Sequence, residues 1–240
     1  MSYFSDFPLT YYSFGNNEEE VLVQNIATYV EILDDVKINA AFYQDYYVQG
    51  GERPDQISFI LYQNPHMHWT FYLMNDKIRE QGWPMQNHEV IDKAKKDYPN
   101  FTIITKDPIF NTFSVGDIVE GDTSGARGTI VHKDLTLGQI VVELEDRSTV
   151  FQTAENVTCE GETIVSSGAV YEYLAPHHYE VDGEHVDLEL TNNMNVPINA
   201  VPVTRLDFYM NENSSLKQIR VIKPSSINAV QQLFNEALRS

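Results

Sequence analysis

From residue 101 to about residue 172 the chain repeats one device: a short β-branched run followed by a turn rich in Gly or Asp. The runs are Ile103-Ile104, Ile118-Val119, Thr129-Ile130-Val131, Ile140-Val141-Val142 and Thr163-Ile164-Val165. Branching at Cβ stiffens these side chains and suits a pleated surface, so short strands separated by such turns predict a small barrel or sandwich. The segment also echoes itself: "VEGDTSGARG" at 119–128 returns as "CEGETIVSSGA" at 159–169. Glu120-Gly121-Asp122-Thr123 aligns with Glu160-Gly161-Glu162-Thr163, each followed by Ser-Gly-Ala. Two copies are too few for a solenoid, but they predict a barrel of related halves with glycines at matching turns.

Ahead of this segment the punctuation is helical. Pro54 suits the first turn of a helix, where its missing N–H costs nothing, and Ile57, Ile60 and Leu61 follow at the spacing of one face. Asn64-Pro65 breaks that helix; Trp69, Tyr72 and Leu73 repeat the spacing, and Asn75-Asp76 ends the second helix. A third helix is predicted over 87–97, with Asn87 as cap, Glu89 near its positive end, Lys93, Lys95 and Lys96 near its negative end, and Pro99 as the stop. Residues 41–48 read as a strand leading into the Gly50-Gly51 turn, 21–33 fit helix and strand equally, and 1–20 read as an aromatic, then polar, arm with little regular structure.

After the β segment, Asp182-Gly183 predicts a tight hairpin within 177–190, and 191–200 are loop-like. "LKQIRVIKP" alternates as a strand. The final "SSINAVQQLFNEALRS" places Ile227, Val230, Leu233, Phe234, Ala237 and Leu238 on one stripe behind a Ser cap.

With 240 residues, 42% hydrophobic and 12% aromatic, the chain has enough apolar material to bury a core as one large domain or two small ones. Sixteen Lys and Arg against 35 Asp and Glu leave a formal charge of −19, which repels phosphate backbones and anionic lipid and argues against nucleic acid or membrane as partner. A lone cysteine, Cys159, forms no internal disulfide and no thiolate metal cluster, in keeping with a reducing compartment during folding. The amino terminus lacks a secretory pattern and nowhere do eighteen apolar residues run together, so the expectation is synthesis in a cytoplasm with no membrane span.

Catalytic chemistry finds no positive support. His177, His178 and His185, with Glu180 and Asp182 between them, have the composition of a metal cluster, but neighbours on a strand point to opposite faces and the spacing is not that of zinc ligands. Asp117, Glu120 and Asp122 lack the alternating ligands of a calcium loop and read as acidic turn residues. There is no nucleophile elbow, Cys159 has no His or Asn nearby in sequence, and Gly50-Gly51 is followed by no phosphate-cradling Lys. His66 and His68, flanking Met67 beside Trp69, read as a packed helix start. The expectation is a protein without enzymatic activity and without metal or cofactor.

The stretch "YYVQGGERPDQISFILYQNPHMHWTFYLMND" at 46–76 has the order of a LysM-type unit, in which a strand, two short helices and a final turn pack into a small core. With "GWPMQNHEVIDKA" and later "LKQIRVIKPSSINAVQQLFNEAL", in that order, it resembles the baseplate wedge protein 53 family of T-even-type contractile-tailed phages, and "VYEYLAPHHYEVDGEHVDL" fits a weaker family segment. The resemblance covers about 36–100 and 170–240. It implies an α+β chain of four parts: an arm and strands (1–40), a LysM-like helical unit (41–100), an inserted SH3-like β-barrel (101–172), and a hairpin, strand and C-terminal amphipathic helix (173–240). Gly50, Pro54, Ile57, Leu61, Trp69, Tyr72 and Leu73 would form the structural core of the LysM-like unit, with Trp69 as a packing anchor.

The implied role is a non-enzymatic virion component of the inner baseplate, joining neighbouring wedges into a six-fold ring through other wedge proteins. The alternative implied by a LysM-type unit is binding of peptidoglycan glycans. It is weakened by the missing secretory pattern, the missing catalytic domain and the bulky "ISFILY" and "HWTFY" runs, which suit burial better than an open groove. The barrel is absent from the best-known members, and its role stays open between a host-surface sugar and another tail protein.

Overall fold

The computed structural model describes residues 8–13, 20–25, 33–186 and 199–239. In chain order the elements are β1 (Leu9–Ser13), β2 (Glu20–Gln24), α1 (Leu33–Ile38), β3 (Tyr43–Tyr47), α2 (Pro54–Tyr62), α3 (Trp69–Met74), α4 (Asp76–Gln81) and α5 (Asn87–Asp97). Then come β4 (Phe101–Thr105), β5 (Ile118–Gly121), β6 (Arg127–Asp134), β7 (Gln139–Leu144), β8 (Asn156–Cys159) and β9 (Glu162–Tyr171). The chain finishes with β10 (Pro176–Val181), β11 (Glu184–Val186), β12 (Val201–Thr204), α6 (Arg205–Ser215), β13 (Gln218–Ile222) and α7 (Ile227–Arg239). The class is α+β. Two compact units divide it: Met1–Gln86 with Asn213–Ser240, and Asn87–Glu212.

In the first unit the amino-terminal segment departs from the expected irregular arm. β1 and β2 pair antiparallel from Leu9↔Gln24 to Ser13↔Glu20, because "LTYYS" and "EVLVQ" are both rich in residues that favour a pleated strand. The unassigned stretch 21–33 thus begins in β2, and its residues 26–32 lie outside the described residues.

α2 starts at Pro54, with the Gln56 side chain accepting from the Arg53 N–H at 3.1 Å. It ends where Gln63 turns left-handed at φ 55°. Asn64 then accepts from the His66 N–H at 3.0 Å and opens a 3-10 turn, Pro65–His68, that runs into α3. Asn75 breaks the helical path with φ −132°, but Asp76 starts α4 immediately, a helix that the reading of Asn75-Asp76 as a stop omitted.

β3 and β13 form an antiparallel pair, Tyr43↔Ile222 to Tyr47↔Gln218, that joins the two ends of this unit. Because strand side chains alternate, Ile219 and Val221 enter one core, with Val48, Ile57, Phe71 and Ile78. Ile222 enters a second core, with Val36, Met67, Met74, Ile227 and Val230. α7 lays Ile227, Val230 and Phe234 inward; Leu233, expected on that stripe, is 40% exposed, and the side chains of Ala237 and Leu238 lie outside the described residues. On α2 the buried face is likewise rotated from the expected one. Ser58 is buried because its hydroxyl donates to the Asn64 carbonyl at 2.6 Å, and Ile60 is left exposed.

The second unit is built on a closed barrel in the order β4-β7-β6-β5-β8-β9, which resolves the barrel-or-sandwich choice. All neighbouring strands run antiparallel, and closure removes the exposed edges that invite misassociation. Phe101, Ile103, Val119, Ile130, Ile140, Val142, Phe151, Val157 and Ile164 fill it.

The sequence echo does not mark matching turns. Glu160 (φ 48°) and Gly161 (φ 91°) make the two-residue turn between β8 and β9, where the left-handed backbone favours glycine. Gly121 instead ends β5 with no positive φ, and a Cβ there would lie 2.6 Å from Ser124 Oγ and 2.8 Å from both carboxylate oxygens of buried Glu155. One glycine serves a turn and the other a close approach. The second Ser-Gly-Ala runs within β9, whereas the first lies between β5 and β6.

Outside the barrel, Asp182 (φ 53°) and Gly183 (φ 85°) turn β10 into β11 as expected, and β12 pairs on the other side of β10. The expected extension of that hairpin to 190 and most of the 191–200 loop lie outside the described residues. β12 and α6 were not foreseen.

Candidate functional site

The seven residues expected to form the core of the 41–100 segment occupy different depths. Ile57 is fully buried, and Leu61 and Tyr72 pack at the edge of its cluster. Trp69 packs on the other cluster, its ring 4.6 Å from that of Phe234 in α7. Pro54 and Leu73 are half-buried, and Gly50 is exposed in open space. One core is filled by Phe71 and Ile78 and the other by Met74, three residues outside the expected set. Their signal was available: Met67, Phe71, Met74 and Ile78 recur at steps of four, three and four, and all four are buried.

The chemistry-bearing residues are engaged in structure. His68 Nδ1 sits 2.8 Å from the Pro65 carbonyl, at the helix start, and His66 is exposed. Asp117 accepts from the Ser114 N–H at 2.7 Å. Asp122 binds the Thr123 hydroxyl and the Asn156 amide, and these bonds, Thr123 first, hold its carboxyl below the usual range. Both carboxylates are thus turn-forming groups.

The histidines of β10 correct one geometric premise. His177 and His178 were expected on opposite faces, but the pairing of β10 with β12 shifts register between Pro176 and His178. That bulge brings the two Nδ1 atoms to 2.9 Å. His178 Nε2 lies 3.1 Å from Glu180, the His185 ring stacks on His178 at 4.8 Å, and His177 stacks on Phe208 of α6 at 4.3 Å. Burial, and then the neighbouring His178, Arg205 and His185, lower the pKa of His177. Among the described residues no group of three or more His, Cys, Asp or Glu is arranged to hold a metal ion, and no helix is long and apolar enough to cross a membrane.

What stands out instead is uncovered apolar surface. The β1–β2 hairpin leaves Leu9, Tyr11, Tyr12, Val21 and Leu22 between 47% and 69% exposed. Leu9, Tyr11 and Leu22 share one face of this pair and Tyr12 and Val21 the other, a large uncovered apolar area for so short a ribbon. On α2, Phe59 and Ile60 are 53% and 58% exposed. Neither patch carries the convergent polar groups of a small-molecule site.

No curated protein matches the chain. The amino-terminal part does match a family model, in a span that takes in the hairpin and all of α1 to α5 and ends just beyond β4, short of the two C-terminal blocks at 170–240. Over residues 4–107 this chain is similar to the family described as base plate wedge protein 53.

Proposed function

We propose that this chain is a structural component of a phage tail baseplate wedge, joining neighbouring wedges in the inner ring through contacts with other wedge proteins. The observation that carries the reading is the exposed apolar hairpin, with Tyr11 opposite Leu22, Tyr12 opposite Val21 and Leu9 at its end, lying within the span that matches the wedge family. Burying such residues against a partner gains roughly 25 cal/mol per Å² of apolar area before the costs of association. The site of action is the virion, at the baseplate of a contractile tail with six-fold symmetry, after synthesis in the bacterial host cytoplasm. Neither nucleic acid nor membrane is a partner, in keeping with the charge of −19. No enzymatic step, metal or cofactor is part of this role.

In this reading residues 41–100 form the LysM-like unit with protein-holding rather than sugar-holding use. Gly50, Pro54, Ile57, Leu61, Trp69, Tyr72 and Leu73 support it from within, and 101–172 are an SH3-like insertion. Residues 1–40 and 173–240 supply the docking edges.

The test is reconstitution with the wedge proteins of the same phage. The wild-type chain is expected to co-sediment with them. A Tyr11→Ser, Leu22→Ser double variant, altered at one cross-strand pair of the hairpin, is expected to keep its circular dichroism and lose association by tenfold or more. Failure of the wild-type chain to associate with any wedge protein sinks the proposal.

A further inference from the structure

The second unit carries a groove that the assembly role does not use. Tyr98, Pro99, Tyr171 and Tyr173 line a space of about 330 Å³ with Lys95 and Arg147 at its rim. Through Pro99, Arg147 and Tyr171 it continues into a pocket of about 110 Å³ that adds Asn100 and Glu143. Tyr171 is 46% exposed, and its ring is braced edge-on against Phe101 of the barrel core at 5.5 Å. Tyr173 lies nearly parallel to it, 26° between planes and 6.1 Å between centroids. Lys95 Nζ stands 5.8 Å from the Tyr173 ring centre. Neither Lys95 nor Arg147 enters an ion pair among the described residues, in a chain where carboxylates outnumber cations two to one.

The chemistry of this lining selects among ligands. Tyrosine faces bind flat C–H surfaces, and two unpaired cations beside them bind a carboxylate with charge-assisted hydrogen bonds. Glu143 in the same pocket repels a dense polyanion such as nucleic acid or a polyglutamate stretch, yet it accepts hydrogen bonds from hydroxyls. The Asn100 amide can donate to and accept from hydroxyls as well. A peptide main chain has no strand edge to pair with here: Phe101 and Tyr171 pair with each other, and β4 is paired on both sides.

We propose that this groove binds an acidic saccharide, with a sugar ring stacked on Tyr171, its carboxylate held by Arg147 and Lys95, and hydroxyls engaged by Asn100 and Glu143. The inference is independent of the wedge role, since none of these five side chains belongs to the hairpin.

The full chain is titrated by calorimetry with three probes carrying sugar carboxylates: trigalacturonate, an α2,8-linked sialic acid trimer and a hyaluronan tetramer. Methyl-esterified trigalacturonate and hexaglutamate serve as controls. At least one acidic saccharide is expected to bind saturably, at least tenfold more tightly than the methyl ester or the peptide, with affinity falling as salt rises. Tyr171→Ala and Arg147→Ala are each expected to weaken it tenfold or more. Arg147 is exposed in a turn, so its variant keeps the test decisive if Tyr171→Ala unsettles the barrel. The proposal is overturned if none of the three binds at millimolar concentration, if hexaglutamate binds as well as the best of them, or if Arg147→Ala leaves affinity unchanged.

Discussion

The side chain of Asn75 acts as a strand for Arg220. Its amide donates to the Arg220 carbonyl at 2.8 Å, and its oxygen accepts from the Arg220 N–H at 2.8 Å. Arg220 faces Asp45 of β3 as a non-hydrogen-bonded pair, between the bonded positions Lys217↔Val48 and Lys223↔Phe42, so its backbone polar groups point to the side of β13 where no further strand lies among the described residues. The same amide also donates to the Phe71 carbonyl at 2.8 Å, at the end of α3. One residue thus closes the open edge of a two-stranded sheet, satisfies a helix end and marks the break between α3 and α4.

Asn75→Ala is therefore expected to destabilise the first unit by about 1–2 kcal/mol, the cost of three backbone groups losing their partner, of which the half-buried Phe71 carbonyl is the least reachable by water. Asn75→Asp is expected to cost at least as much, since it keeps the acceptor but sets a negative oxygen against two carbonyls. Urea denaturation checks both. An Asp variant as stable as the wild type would show that the donor bonds carry no weight.

Trp69 and Phe234 meet at 4.6 Å across the packing of α3 on α7, with Phe234 3% exposed. Trp69→Ala is expected to cost about 3–5 kcal/mol and to loosen the C-terminal helix first. Limited proteolysis should then cut within 224–239 well before global unfolding. In a double-mutant cycle with Phe234→Ala the pair is expected to couple by about 0.5–1.5 kcal/mol. Strict additivity would mean that each ring packs on its surroundings and not on the other.

Elements whose signals are local could be read without the fold. Pro54 opening α2, the charge arrangement and stop of α5, the Asp182-Gly183 turn and the stripe of α7 are each decided by neighbours in sequence. α6 could not be read this way. "RLDFYMNENSS" ends in Asn and Ser, which are poor helix formers, and buried Asn213 is held from a distance, accepting from the Met85 N–H at 2.7 Å and donating to the Met85 carbonyl at 2.9 Å. Which apolar residues stay uncovered was equally hidden, because Ser58 goes inward beside Ile57 only once the Asn64 carbonyl is there to receive its hydroxyl. The candidate surfaces depend on that outcome, as does the groove, whose Arg147 and Tyr171 lie 24 positions apart and meet only through the barrel's closure.

At Gly121 the barrel meets an added side chain with close contacts, without any demand for a positive φ. An added methyl group meets Ser124 Oγ and both oxygens of Glu155, a 3% exposed carboxylate that accepts from the Ser124 N–H at 2.9 Å and from the Gln152 N–H. Gly121→Ala is expected to destabilise by about 1–3 kcal/mol, through strain or through displacement of Glu155 from its donors. A loss below about 0.5 kcal/mol in urea, within the range of an ordinary surface substitution, would show that Glu155 moves aside freely.

Cys159 ends β8 inside the barrel, 4% exposed, with its Sγ 3.7 Å from Asp117 Oδ2. Burial, and then the negative Asp117, push its thiol up to about 11. Because thiolate is the reactive form, the folded protein at pH 8 is expected to react with a disulfide reagent at least a hundredfold more slowly than the urea-unfolded chain. The linkage has a definite sign. A pKa raised on folding contributes stability that is whole below the unfolded thiol value of about 8.5 and is lost as pH rises through about 11. Cys159→Ala removes that titration at the cost of a small cavity, so its stability deficit against the wild type should shrink steadily between pH 8 and pH 11. A deficit that stays constant across that window, or a folded thiol that reacts at the unfolded rate, would place Cys159 in contact with water and refute the burial that the barrel assigns to it.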